Sequence, residues 1–160
     1  MTRFFCAALL LLCVCATPTL AQMPPTSIVT TTASATPAAL APGGRGTLRI
    51  TLSINPRFHV NAHDPRNKML IPTTLSLGKT SGVVFGPPQF PVAKTVRGAD
   101  GKNPLLVYVG TATITVPFKV AKTAAAGART LTGTVNYQGC TAVACFPPDS
   151  AAIKAQVTVK

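Results

Sequence analysis

The sequence predicts an all-β sandwich, on three observations. Apolar and polar residues alternate with period two over several stretches, the pattern of strands with one face buried and one in water. Gly, Pro and Asn clusters break the chain between those stretches, so the strands are short and joined by turns. Only residues 121–126 have the composition of a helical turn.

Residues 27–31 are the first strand candidate, set in a Pro-, Thr-, Ala- and Ser-rich stretch. Residues 35–44 read as a flexible turn or linker. The organisation expected is therefore an N-terminal strand and linker at 22–44 and the sandwich domain at 45–160. Leu48, Ile50, Leu52 and Ile54 alternate with Thr47, Arg49, Thr51 and Ser53 until Asn55-Pro56 ends the run. Phe58, His59, Val60, Asn61 and Ala62 form the next strand, followed by residues 73–77 and 83–85. Residues 105–109 are apolar. Ala112, Ile114, Val116, Phe118 and Val120 then share one face, with Pro117 on the other. Proline has no amide hydrogen, so Pro117 implies an edge strand or a bulge. Leu131, Val135 and Tyr137 lead into a pair of cysteines, and Ile153, Ala155, Val157 and Val159 close the chain.

Residues 1–21 read as a signal peptide. Arg3 gives the positive start, residues 4–16 are thirteen apolar positions, and Thr19-Leu20-Ala21 is a small-x-small cleavage site before Gln22. That run falls short of the roughly 20 residues that cross a bilayer. Phe5, Leu12 and Val14 precede the leader's cysteines and are poor residues for a lipoprotein site. A soluble, exported, periplasmic chain without stable membrane insertion is expected. Losing Cys6, Cys13 and Cys15 with the leader reduces five cysteines to two, an even number in an oxidising compartment.

About 139 residues remain, enough for one domain with one core, and a monomer is expected. Removing Arg3 leaves fourteen basic residues against three acidic ones, a net charge of +11, and the chain has no glutamate. Strong basicity raises nucleic acid or an anionic membrane as partners. The cations are scattered singly with few aromatics between them, so the pattern points to a solvated surface and no nucleic acid.

Cys140 and Cys145 are separated by four residues, with Gly139 before them and Pro147-Pro148 after. A hairpin turn of that length sets its flanking positions opposite each other. Opposed residues have Cα atoms about 4.5–5.5 Å apart, inside the roughly 4.4–6.8 Å a disulfide needs. The two cysteines can bond without distorting the backbone. Closing so short a loop contributes only about 2 kcal/mol. Two readings stand: a structural staple, or a pair that exchanges with an incoming thiol. A local bond among turn residues, open to approach, favours exchange. The spacing is not the two-residue gap of thioredoxin-type motifs. Zinc would need two further ligands, with only His59 and His63 available, so no metal and no cofactor is expected.

The segment Tyr137-Gln138-Gly139-Cys140, a short gap, then Cys145-Phe146-Pro147-Pro148 resembles the active-site segment of the amino-terminal domain of the thiol:disulfide interchange protein DsbD. The stretch from Phe58 through Ala62 and the run Leu70-Ile71-Pro72-Thr73-Thr74-Leu75 resemble strands of the same family. The resemblance spans roughly residues 45–160. It implies an immunoglobulin-like sandwich and a redox-active Cys140/Cys145 pair, with Cys145 forming the mixed disulfide with a thioredoxin-like partner. His59 and Asn61 would then lie near the disulfide, with Tyr137, Phe146 and Pro147 as further site-lining residues. A neutral imidazole at His59 could move a proton to or from a thiolate, or stand by. The alternative is a polar, solvent-facing strip of His59, Asn61 and His63 on one strand face.

The family also carries a cap loop over its cysteines, which maps to residues 94–104 here. Asp100 is the acidic residue in it, and it holds no aromatic, so the expectation is either weaker shielding here or shielding by Phe90 or Phe146. In the full family protein a membrane segment and a thioredoxin-like domain follow. The chain given ends at Lys160, so the expected electron source is a separate membrane or thioredoxin-like protein, with oxidised exported proteins as acceptors. The rival function is a non-catalytic immunoglobulin-like binding module with a stapled hairpin.

Overall fold

The computed structural model describes residues 27–98 and 103–160, and the expected signal peptide and Asp100 lie outside them. Every regular element among the described residues is a strand: β1 (Val29–Thr36), β2 (Ala39–Leu40), β3 (Arg45–Ile54), β4 (His59–Asn61), β5 (Thr74–Leu77), β6 (Val83–Phe85), β7 (Lys94–Arg97), β8 (Pro104–Tyr108), β9 (Thr111–Val120), β10 (Gly127–Tyr137), β11 (Gly139–Cys140) and β12 (Asp149–Val159). The all-β expectation holds.

Alternation dictates the layering. In β3, Leu48, Ile50, Leu52 and Ile54 are buried while Thr47, Arg49 and Ser53 face water, and β9 and β12 repeat the pattern. A sheet ordered β1-β3-β9-β6 and a second ordered β2-β12-β10-β5 bring these faces into one cluster. Leu48, Ile50, Leu52, Ile114 and Val116 meet Leu131, Val135, Ile153 and Val157 there. Each such side chain contributes about 1.5–3 kcal/mol by leaving water.

A third sheet, β11-β4-β8-β7, continues from one end of the sandwich. The chain enters it from β10 through Gln138 and leaves it for β9 through Val109 and Gly110. Gly110 turns with φ 63°, and its carbonyl accepts from the Ile54 amide at 2.7 Å. This short sheet holds both cysteine-bearing and histidine-bearing strands.

Three expectations need correction. Residues 35–44 are not a linker: β1 runs on to Thr36 along β3, and β2 adds in parallel to β12. The sandwich therefore begins before residue 45. Pro117 lies neither on an edge strand nor in a bulge, because β9 sits between β3 and β6 with an unbroken register from Arg45↔Lys119 to Ser53↔Thr111. β6 ends at Phe85, and the Gly86 amide donates to the Pro117 carbonyl at 2.7 Å. The missing amide hydrogen thus faces the place where the neighbouring strand has stopped. Residues 121–126 hold a turn closed by Ala124 N–H to Ala121 carbonyl, 3.1 Å, and no helix.

Candidate functional site

β11 is two residues long and pairs antiparallel with β4, setting Gly139 opposite Val60 and Cys140 opposite His59. Ile28 packs closely on Gly139: a Cβ there would lie 2.7 Å from Ile28 Cδ1, so any larger residue would have to displace that side chain. Beyond the turn, Cys145 bridges back to face Cys140, as the spacing predicts. The Phe146 amide donates to the Gly139 carbonyl at 2.9 Å, and the Thr141 amide to the Ala144 carbonyl at 2.8 Å. Thr141 Oγ1 accepts from the Val143 and Ala144 amides at 3.4 and 3.2 Å, which fixes the tip.

The sulfurs are bonded at 2.05 Å, with the Cα atoms 3.9 Å apart, closer than the expected window. The two cysteines differ in surroundings. Cys140 is 1% exposed, whereas Cys145 and its neighbours from Ala142 to Pro148 are exposed.

A cavity of about 130 Å³ opens beside the bond. His59, Arg97 of β7, Leu105 of β8, both cysteines and the tip residues 141–144 line it. Burial holds the His59 imidazole below its ordinary value, and its Nε2 is buried without a hydrogen-bond partner.

Asn61 is fully buried and stands behind the site, not in the cavity wall. Its Nδ2 donates to Gln138 Oε1 at 3.0 Å and to the Ile71 carbonyl at 3.1 Å. Gln138 Nε2 in turn donates to the Phe146 carbonyl at 3.2 Å. His63 lies past the end of β4; its Nδ1 donates to the Thr73 carbonyl at 3.0 Å. Its ring stacks on Phe90 at 3.8 Å. A solvent-facing strip of His59, Asn61 and His63 is therefore not formed, and Phe90 is engaged away from the cysteines.

Tyr137 is a core residue, 1% exposed. Its hydroxyl donates to Asp149 Oδ2 at 3.0 Å, and burial, reinforced by Asp149, pushes its pKa up to about 12. Phe146 rests edge-on against Phe58, centroids 5.6 Å apart, and stays 41% exposed. Pro147 is exposed. Neither covers Cys145 as a shield would.

Sequence reasoning missed Arg97, Leu105 and Gln138. Arg97 and Leu105 sit at the described base of the expected cap, on a β7–β8 hairpin whose Arg97 pairs with Pro104. Gln138 lies two residues before Cys140 in the quoted motif, and that position was its signal.

Comparison with known proteins comes from three directions. Residues 26–156 match the family model described as "Thiol:disulfide interchange protein DsbD, N-terminal". Among curated proteins nothing matches. The DsbD N-terminal domain of Neisseria meningitidis in its reduced form is 15% identical, covering 87% of this chain and 96% of that one, TM-score 0.48. The N-terminal periplasmic domain of ScsB from Proteus mirabilis is 13% identical over 78% of this chain and 43% of that one, TM-score 0.47. A type I cohesin from Pseudobacteroides cellulosolvens is 13% identical, covering 82% and 92%, TM-score 0.48. With the family model spanning both cysteines and all but the last strand's end, the chain belongs to the DsbD N-terminal domain family, whose periplasmic domains take part in thiol–disulfide exchange.

Proposed function

We propose that this domain relays electrons in the periplasm through Cys140 and Cys145. It receives them from a thioredoxin-like or membrane donor and passes them to oxidised exported proteins. The observation that carries this reading is the unequal burial of the two sulfur-bearing residues: Cys140 1% exposed, Cys145 exposed. Exchange requires a thiolate to reach one sulfur of the bond, and Cys145 is the one within reach.

In the reducing direction a donor thiolate attacks Cys145 Sγ. The Cys140–Cys145 bond breaks, and Cys140 leaves as a thiolate. The donor's second thiolate then attacks its own sulfur in the mixed disulfide, leaving the donor oxidised and Cys145 reduced. Passing the two electrons on reverses these steps against an acceptor disulfide. The apolar, exposed rim of Val143 and Phe146 offers the partner a desolvated contact beside the attacked sulfur. Arg97, which lines the same cavity, supplies a positive charge of the sign that favours a thiolate.

The test uses Cys140→Ser and Cys145→Ser with a thioredoxin-like protein that keeps one activated cysteine. Cys140→Ser, which retains Cys145, is expected to trap the covalent adduct, and Cys145→Ser is not. Absence of an adduct with either variant means a stapled binding module.

A further inference from the structure

His59 is the cross-strand partner of Cys140, and the two line one cavity. Directly opposed residues carry Cβ atoms about 4.5–5.5 Å apart on the same face of a sheet, so imidazole and sulfur are near neighbours. His59 Nε2 is buried with no partner. An orphaned polar atom of this kind costs about 1–3 kcal/mol, and native structures keep few of them. The other histidine shows the contrast, with its Nδ1 bonded to Thr73 at 3.0 Å.

While the disulfide is closed, neither sulfur bears a proton. Opening it creates a thiol or thiolate at Cys140, 1% exposed, on the cavity that it shares with the unpartnered nitrogen's imidazole. We propose that His59 Nε2 carries the proton to and from Cys140 during exchange, an inference that rests on the thiol–disulfide reading above.

When electrons leave the domain, the Cys145 thiolate attacks the acceptor disulfide, forming a mixed bond and releasing one acceptor thiolate. The Cys140 thiol gives its proton to His59 Nε2. The resulting Cys140 thiolate attacks Cys145 Sγ, re-forms the Cys140–Cys145 bond and expels the second acceptor thiolate. The acceptor's two sulfurs gain two electrons. They are protonated once through the His59 imidazolium and once from solvent, to which Cys145 lost its own proton. Reduction of the domain runs the same path backwards.

The groups that line the cavity with the imidazole are Arg97 from β7, Leu105 from β8, Cys140 of β11, Cys145 beyond the turn and the tip residues 141–144, and no described carboxylate is among them. Burial holds the ring below its ordinary value and so favours its neutral form. The nitrogen is therefore able to accept a proton at about pH 7. Burial disfavours a charged thiolate, so a buried thiol without a base beside it is slow to give up its proton.

The reduced protein is mixed with glutathione disulfide as probe, quenched with acid at intervals and resolved by mass. This separates the Cys145–glutathione adduct from the re-closed disulfide. For the unmutated chain, closure is expected to be fast and flat with pH above the ring's lowered pKa. In His59→Gln and His59→Phe the adduct should accumulate. Closure at about pH 7 should slow on the order of 10²-fold, the usual contribution of a positioned base, and should accelerate as pH rises. Closure of either folded variant at the unmutated rate and profile overturns the proposal. A second measurement needs no variant: the Nε2 ¹⁵N shift of His59 should change between disulfide and dithiol forms, and an unchanged shift overturns it too. An unmutated chain that neither forms the adduct nor re-closes its disulfide with glutathione disulfide instead overturns the exchange reading itself.

Discussion

Cys140 and Cys145 share one bond and opposite environments, the first buried in the β11–β4 ladder and the second in solvent beyond a tight turn. The difference follows from the chain's path. β11 is held against β4 on one side and Ile28 beneath Gly139, whereas, among the described residues, the segment returning through Cys145 pairs with β11 alone.

That asymmetry predicts selective alkylation. In the reduced protein at neutral pH, iodoacetamide should modify Cys145 about tenfold or more faster than Cys140, since reagent access favours the exposed thiol. Peptide mass spectrometry after brief exposure reads the ratio. Equal rates would contradict the burial described above.

Reduction should leave the fold standing. The loop closed by the bond is short, and its opening costs about 2 kcal/mol out of the roughly 5–15 kcal/mol of a typical domain. Urea unfolding of the dithiol form should remain cooperative, with its midpoint lowered by that amount. A reduced protein without a cooperative transition would identify the disulfide as a staple.

Tyr137 predicts an alkaline limb of stability. Its folded pKa is about 12, raised first by burial and then by Asp149, from an ordinary value of 10.0. A phenol whose folded pKa is raised stabilises the fold fully below the unfolded value and loses that contribution as pH climbs through the folded one. Stability should therefore fall between about pH 10 and 12, and Tyr137→Phe should flatten that decline relative to the unmutated chain. Urea midpoints across that window decide it, and identical slopes in both proteins would refute the assignment.

The sandwich and the disulfide were legible because each rests on a strong local rule. Leu48, Ile50, Leu52 and Ile54 alternate without a break, and a four-residue gap opposes Cys140 and Cys145. Residues 35–44 misled because their Pro, Ala and Gly content reads as coil. What makes β2 a strand is its pairing with β12, over a hundred residues away. Pro117 misled for a related reason: its tolerance depends on where β6 happens to end, which no local pattern encodes. Within the site, period two placed His59 and Asn61 on one strand face but could not tell cavity wall from buried support. That distinction belongs to Gln138 and Ile71, which meet Asn61 only in three dimensions. Arg97 and Leu105 reach the disulfide through the β7–β8 hairpin, and β7 offers no alternation by which to recognise it.

The last prediction concerns the support behind Cys145. Asn61 Nδ2 holds Gln138 Oε1, and Gln138 Nε2 holds the Phe146 carbonyl, so a buried amide fixes the backbone one residue beyond the exposed cysteine. Asn61→Ala strips the Ile71 carbonyl of its donor and weakens the hold on Gln138; a cost of about 1–3 kcal/mol is expected for partners left unpaired in a buried setting. Gln138→Ala releases the Phe146 carbonyl directly. Because both variants cut the same chain of bonds, the double variant should lose less than the two single losses together, with a coupling of about 0.5–3 kcal/mol. Gln138→Glu separates the two ends of the relay. Its carboxylate still accepts from Asn61 but cannot donate to Phe146, so the Phe146 end alone is lost at neutral pH and is restored when acid protonates the side chain. Urea midpoints give the coupling, and the rate of disulfide opening by dithiothreitol reports on the freed backbone, which should open faster in Gln138→Ala. Strict additivity of the two alanine variants, together with an unchanged opening rate, would show that Asn61 and Gln138 stabilise the sheet without positioning Cys145.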